Sequence, residues 1–150
     1  MGLIDKLHGA KIFLDTAPII YYIEGNVKYQ DFLSNLFKLN VREEVDFVTS
    51  SITFMEIMVL PFRLGQFELI KQYETILSES ETIIILDLDL KIAKAAAEIR
   101  AKYNIKTPDS IQLATAINQS CNFFLTNDKK LKISGITTLY LDEIVKIQTW

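Results

Sequence analysis

The sequence predicts an α/β fold built on a central, mainly parallel sheet of about five strands. Two observations carry this reading. Five short runs rich in β-branched and aromatic residues are spread along the 150 residues, and all but the last neighbouring pair are separated by segments of helical period. Parallel strands need crossover connections, and helices are the usual way to supply them. With 49% of its residues hydrophobic, the chain can bury one sizeable core and is short for two independent domains, so residues 1–150 are read as one domain.

The elements follow in order. Residues 11–14 (Lys-Ile-Phe-Leu) form the first strand, after a polar lead that contains Asp5 and His8. Helical segments are expected near 17–24 and 29–39, and a second strand at 46–49. Two further helices, near 52–60 and 66–79, are expected to be parted by Pro61 and Gly65, since proline lacks the amide that a helix interior uses. A third strand at 82–86 leads into the clearest amphipathic helix, 90–103. There Ile92, Ala96 and Ile99 share one side while Lys91, Lys94, Glu98 and Lys102 occupy the other, and Asp89 is placed to cap it. Thr107-Pro108-Asp109 reads as a helix start, with Thr107 as the cap and Pro108 in the first position, ahead of Ile111, Leu113, Ala114 and Ile117. The last two strands are expected at 122–125 and 137–141.

Charge and composition narrow the function. Sixteen Lys and Arg against nineteen Asp and Glu give a net charge of -3, the wrong sign for binding nucleic acid by bulk charge. Residues 100–132 differ: Arg100, Lys102, Lys106, Lys129, Lys130 and Lys132 face only Asp109 and Asp128, a local excess of +4 against -7 elsewhere. The one cysteine, Cys121, has no internal partner and is expected to pack in the core. The first ten residues lack the apolar run of a secretory signal, and no stretch approaches a membrane span, so the expectation is a soluble, cytoplasmic protein without membrane contact.

In an open α/β sheet, ligands bind beyond the carboxyl ends of the strands. Asp15 ends the first strand, and Asp128 follows the fourth. Glu56 lies about one turn past the second strand, and Asp109 sits in the first turn of its helix. Each has an ordinary structural use. Asp15 or Thr16 suits a cap, Thr53 with Glu56 has capping-box spacing, Asp109 favours a helix start, and Asp128 suits a turn. Brought together, four carboxylates repel unless cations neutralise them, and Mg²⁺ or Mn²⁺ prefers such oxygen ligands while leaving positions open for phosphate. A site of that kind suits phosphodiester hydrolysis.

The segments Phe13-Leu14-Asp15-Thr16, Thr53-Phe54-Met55-Glu56, Thr107-Pro108-Asp109-Ser110-Ile111-Gln112-Leu113-Ala114 and Leu125-Thr126-Asn127-Asp128 resemble the four motifs of PIN domains in order and spacing. The resemblance spans about residues 11–142, and small single-domain members are commonly VapC-type toxins of toxin–antitoxin pairs. It implies a three-layer α/β/α sandwich and an endoribonuclease that uses Mg²⁺ or Mn²⁺ held by Asp15, Glu56, Asp109 and Asp128. Asp15 and Asp109 are the foremost metal ligands on this reading, and the products carry 5′-phosphate and 3′-hydroxyl ends. It further implies a homodimer, an RNA substrate and a small antitoxin that covers the acidic site. Thr16, Thr126 and Asn127 are expected to orient the carboxylates, and Lys106, Lys129, Lys130 and Lys132 to draw in phosphates. Ser110 stands where alanine is often found after the third acid.

Other readings stay open: a housekeeping or DNA-processing PIN nuclease, or a catalytically silent module that binds a protein. Competing α/β enzymes fit less well. A haloacid-dehalogenase phosphatase needs Asp-x-Asp-x-Thr, but Asp15 is followed by Thr16 and Ala17, and no Gly-rich loop ends in Lys-Ser or Lys-Thr. His8 has no second imidazole or thiol at ligand spacing, and Asp87 is at most an outer neighbour of the acids. Tyr21, Tyr22, Phe54 and Phe62 are read as core or partner-surface residues.

Overall fold

A computed structural model describes residues 2–147. Its strands are β1 (Lys11–Leu14), β2 (Asp46–Ser50), β3 (Ile83–Leu86), β4 (Phe123–Thr126) and β5 (Thr137–Tyr140). Its helices are α1 (Leu3–Leu7), α2 (Thr16–Ile23), α3 (Gln30–Val41), α4 (Ser51–Leu64), α5 (Phe67–Ser78), α6 (Leu90–Tyr103), α7 (Thr107–Asn118) and α8 (Leu141–Lys146). The five strands form one sheet in the order β3-β2-β1-β4-β5, and every neighbouring pair is parallel.

The alternation of side chains along β1 divides the core into two layers. Ile12 and Leu14 face one side, where they pack with Leu33 and Leu36 of α3, Ile57 of α4, Tyr73 of α5 and Leu141 of α8. Phe13 faces the other, stacked on Phe124 of β4 at 5.1 Å between ring centres, under Leu113 and Ala116 of α7. Helices therefore cover both faces and give the three-layer α/β/α sandwich. Burial on both faces explains why β1 reads as an unbroken apolar run. Cys121 packs in the second layer, where burial pushes its thiol up to about 11.

Helix ends mostly follow local chemistry. Asp89 caps α6 by accepting from the Ile92 amide at 2.8 Å, as expected, a contact worth about 1 kcal/mol. Ser50, not Thr53, caps α4, accepting from the Thr53 amide at 3.2 Å, which frees Glu56 from any capping box. Pro61 does not end α4 as expected. It is buried inside the helix, which runs on to Leu64 and stops at Gly65 in the left-handed conformation (φ 66°). The cap of α7 falls on Lys106, so Thr107 is its first residue, and the Thr107 hydroxyl accepts from the Arg100 guanidinium at 3.0 Å. Two helices were not expected: α1, in the polar lead, and α8, whose first residue is Leu141, so that β5 is one residue shorter than the sequence suggests. No helix among the described residues is long and apolar enough to cross a membrane.

Candidate active site

The order β2-β1-β4 places the carboxyl end of β1 in the middle of the sheet, and Asp15 is the residue that follows it. Asp15 caps α2, with one carboxylate oxygen (Oδ1) accepting from the Thr16 amide at 2.8 Å and the other (Oδ2) from the Thr126 hydroxyl at 2.6 Å. Its backbone amide donates to Leu125 at 3.0 Å, extending the β1–β4 pairing by one residue. A carboxylate only 7% exposed is expensive to ionise, and these two donors offset part of that cost.

The other three acids converge on it from separate elements. Glu56 comes from the second turn of α4, where its Oε1 accepts from the Gln112 amide at 3.0 Å and from the Thr16 hydroxyl at 3.4 Å. Asp109 comes from the first turn of α7. Asp128 follows β4 in a turn, its amide donating to the Thr126 hydroxyl at 3.0 Å and its Oδ1 accepting from the Lys130 amide at 3.0 Å. Asp15, Glu56, Asp109 and Asp128 line one open cavity of about 310 Å³ together with Thr16, Ala17, Ile20, Tyr21 and Thr126.

The acids feel one another. Burial raises the pKa of Asp15, and the charge of Asp128 adds to it, against the hydrogen bonds from Thr126 and Thr16. Glu56 is raised by burial, then by Asp15 and Asp109. Asp109 is raised by burial, then by Asp15 and Asp128, while Lys106 pulls the other way. Like charges that raise each other's proton affinity form a cation-attracting cluster.

The donor set fits a hard divalent cation, being all carboxylate oxygens with hydroxyls beside them. No three acidic, histidine or cysteine side chains among the described residues are drawn close enough to enclose an ion by themselves.

The remaining expectations divide. Thr16 and Thr126 touch the carboxylates. Asn127 does not: it donates to the Tyr29 hydroxyl at 3.1 Å and accepts from the Asp142 amide at 2.9 Å, so it braces the loop against α8. Lys106 acts on Asp109 through charge, whereas Lys129, Lys130 and Lys132 are exposed on the segment after Asp128. Asp87 lines a different hollow with Ser51 and Phe54, because β3 is an edge strand two positions from β1. Of the aromatics, Tyr21 lines the acidic cavity and stacks on Tyr29 at 4.5 Å, Tyr22 stacks on Phe37, Phe54 packs against the core, and Phe62 is exposed. Ser110 is fully buried, its hydroxyl donating to the carbonyls of Ile105 and Lys106 at 3.2 and 2.9 Å, so this position has its own use for a hydroxyl in place of alanine. His8 lies 3.6 Å from Glu44, away from the site.

Sequence comparison adds a decisive observation, since the sequence model of the PIN domain matches residues 12–134. The chain belongs to the PIN-domain family. No curated protein matches this PIN domain in sequence, but solved structures match its fold. A toxin-antitoxin complex from Klebsiella pneumoniae aligns at a TM-score of 0.66 and 24% identity, over 87% of this chain and 97% of that one. DNA-bound VapBC from Salmonella typhimurium aligns at 0.69 and 23%, over 88% and 98%. VapC20 from Mycobacterium tuberculosis, described as a sarcin-ricin loop cleaving toxin, aligns at 0.61 and 14%, over 75% and 86%.

Gln112 is the site residue that sequence reasoning passed over. It lies three positions after Asp109 and therefore on the same face of α7, which was the available signal.

Proposed function

We propose that this PIN domain is a divalent-metal-dependent endoribonuclease and the toxin of a VapBC-type toxin–antitoxin pair. The observation that carries the proposal is the convergence of Asp15, Glu56, Asp109 and Asp128 on one cavity. Asp15 and Asp109 would hold Mg²⁺ or Mn²⁺ directly, with Glu56 and Asp128 reached directly or through water. When bound, the cation supplies an acidified water and neutralises charge on the phosphate in the transition state.

The chain's own residues do the rest. Thr126 and the Thr16 amide hold Asp15 rigid, so its charge stays aimed at the cavity. Glu56, whose burial and acidic neighbours raise its proton affinity, is suited to take the proton of the attacking water. Attack in line on phosphorus gives 5′-phosphate and 3′-hydroxyl ends and leaves the RNA 2′-hydroxyl uninvolved. Lys106, whose charge reaches Asp109, and the exposed Lys129, Lys130 and Lys132 on the segment after Asp128 would meet the phosphate backbone. The likeness to solved toxin–antitoxin structures supports a small antitoxin partner; that it covers the acidic cavity, and that the toxin is a homodimer, are part of the same proposal. Residues 1–150 are one domain in this proposal.

The test is cleavage of labelled RNA and DNA by pure protein in Mn²⁺, in Mg²⁺ and in chelator. Asp15→Asn and Asp109→Asn are prepared alongside and checked for folding. The proposal expects cation-dependent RNA cleavage that both variants lose. Equal cleavage by the variants would place the activity elsewhere, and cleavage of DNA alone would favour a DNA-processing nuclease. No cleavage of any substrate would favour a protein-binding module.

A further inference from the structure

We propose that Gln112 is a positioning residue for Glu56, holding its Oε1 so that Oε2 is the oxygen offered to the cavity; this rests on the nuclease reading above. Gln112 is wholly buried, a position in α7 flanked by apolar Ile111 and Leu113. Its amide nitrogen donates to Glu56 Oε1 at 3.0 Å and to the Thr53 hydroxyl at 2.9 Å. A carboxylate only accepts, so the nitrogen and not the oxygen of the amide faces Glu56. The Thr16 hydroxyl adds a second, longer bond to the same Oε1 at 3.4 Å. Both donors therefore act on one oxygen.

The other end of the amide has no such use. Gln112 Oε1 is buried with no hydrogen-bond partner among the described residues. A methionine of equal length would fill the same space without desolvating a carbonyl, so packing alone favours an apolar residue here. The amide is accounted for by what its nitrogen does. Because Asp109 lies one turn earlier on α7, a single helix presents one acid and anchors a second that comes from α4. The separation between these two acids is thereby tied to the packing of α4 on α7.

The test compares full-length wild type with Gln112→Met in three measurements: kcat and KM on RNA in Mn²⁺, the melting temperature, and the ¹³C carboxyl resonances of Glu56 and Asp109. Loss of an outer hydrogen-bond partner at such a site predicts a fall in kcat of ~10- to 100-fold. KM should stay within about twofold, as expected for an interaction that matters in the transition state. The Glu56 resonance should move by more than that of Asp109, a change that a merely structural glutamine would not produce, and the melting temperature shows how much of any loss in kcat comes from destabilisation. A lowered melting temperature with kcat intact overturns the proposal, as does an unmoved Glu56 resonance. If wild type cleaves nothing, the nuclease reading fails on its own, and the Glu56 resonance still decides whether Gln112 positions it.

Discussion

The Thr126 hydroxyl donates to Asp15 at 2.6 Å and in the same position accepts from the Asp128 amide at 3.0 Å, so one buried oxygen sets two of the four acids. Thr126→Val should leave Asp15 a donor short and free the Asp128 turn. The expected cost is about 1–3 kcal/mol in stability and a loss of activity of ~10- to 100-fold. Thr126→Ser, which keeps the hydroxyl, should retain most of both. Equal loss in the two variants, read by denaturant melts and cleavage rates, would mean that the methyl group matters and the hydroxyl does not.

Asp109 shows no hydrogen-bonded partner of its own among the described contacts, and burial, Asp15 and Asp128 all raise its pKa. The folded chain then binds a proton at this site more tightly than the unfolded chain does. Stability from this group is full below the ordinary aspartate value of 3.8 and falls as pH rises through the elevated folded value. Asp109→Asn should therefore stabilise the fold at neutral pH without added cation, by up to about 1 kcal/mol for a partly solvated charge, and raise the melting temperature accordingly. A melting temperature that drops, or a gain that persists unchanged at pH 3, would refute this.

At the opposite wall of the Asn127 loop, Asp142 is held well below the usual range, at about 2, first by the Tyr29 hydroxyl and then by Lys28. Its folded pKa is depressed, so the associated stability is present above the ordinary value of 3.8 and is lost as pH falls toward about 2. Tyr29→Phe should shift the Asp142 titration upward in ¹³C spectra. An unchanged midpoint would assign the depression to Lys28 and Asn127 instead.

Gly65 ends α4 at φ 66°, and the nearest atom to an added Cβ is on Phe67 at 3.9 Å. Space is therefore not the constraint. Gly65→Ala should cost about 1 kcal/mol through backbone conformation, and Gly65→Asn less, since asparagine tolerates the left-handed region. Chemical denaturation of both variants separates this from a packing defect, in which asparagine would be the worse.

Much of this architecture was legible in the order of residues. Strand runs buried on both faces stand out as unbroken apolar stretches, and Asp89 and Asp15 announce their helices because a cap acts within three residues. The four acids were visible for the same reason: Asp15 and Asp128 stand at strand exits and Glu56 and Asp109 near helix starts, all of them local features. What escaped depended on distant contacts. Pro61 stays inside α4 and is buried there, so tertiary packing overrides a local stop signal. Short helices α1 and α8 carry too few turns to show a period. Asn127 and Gln112 owe their roles to partners 98 and 56 residues away, and nothing in the residues beside them reveals which polar side chain points at what.

Because β4 slots against β1 from far along the chain, Thr126 and Asp15 meet across 111 residues. During synthesis, which proceeds from the amino end, Asp15 and Glu56 leave the ribosome well before the strand that completes their surroundings. A nascent chain thus carries first two and then, with Asp109, three of the acids with neither the Thr126 hydroxyl nor Asp128 to complete the cavity. On the nuclease reading proposed above, the growing chain would hold an incomplete cavity until translation has passed β4, and the newly finished protein would be the earliest species able to cleave.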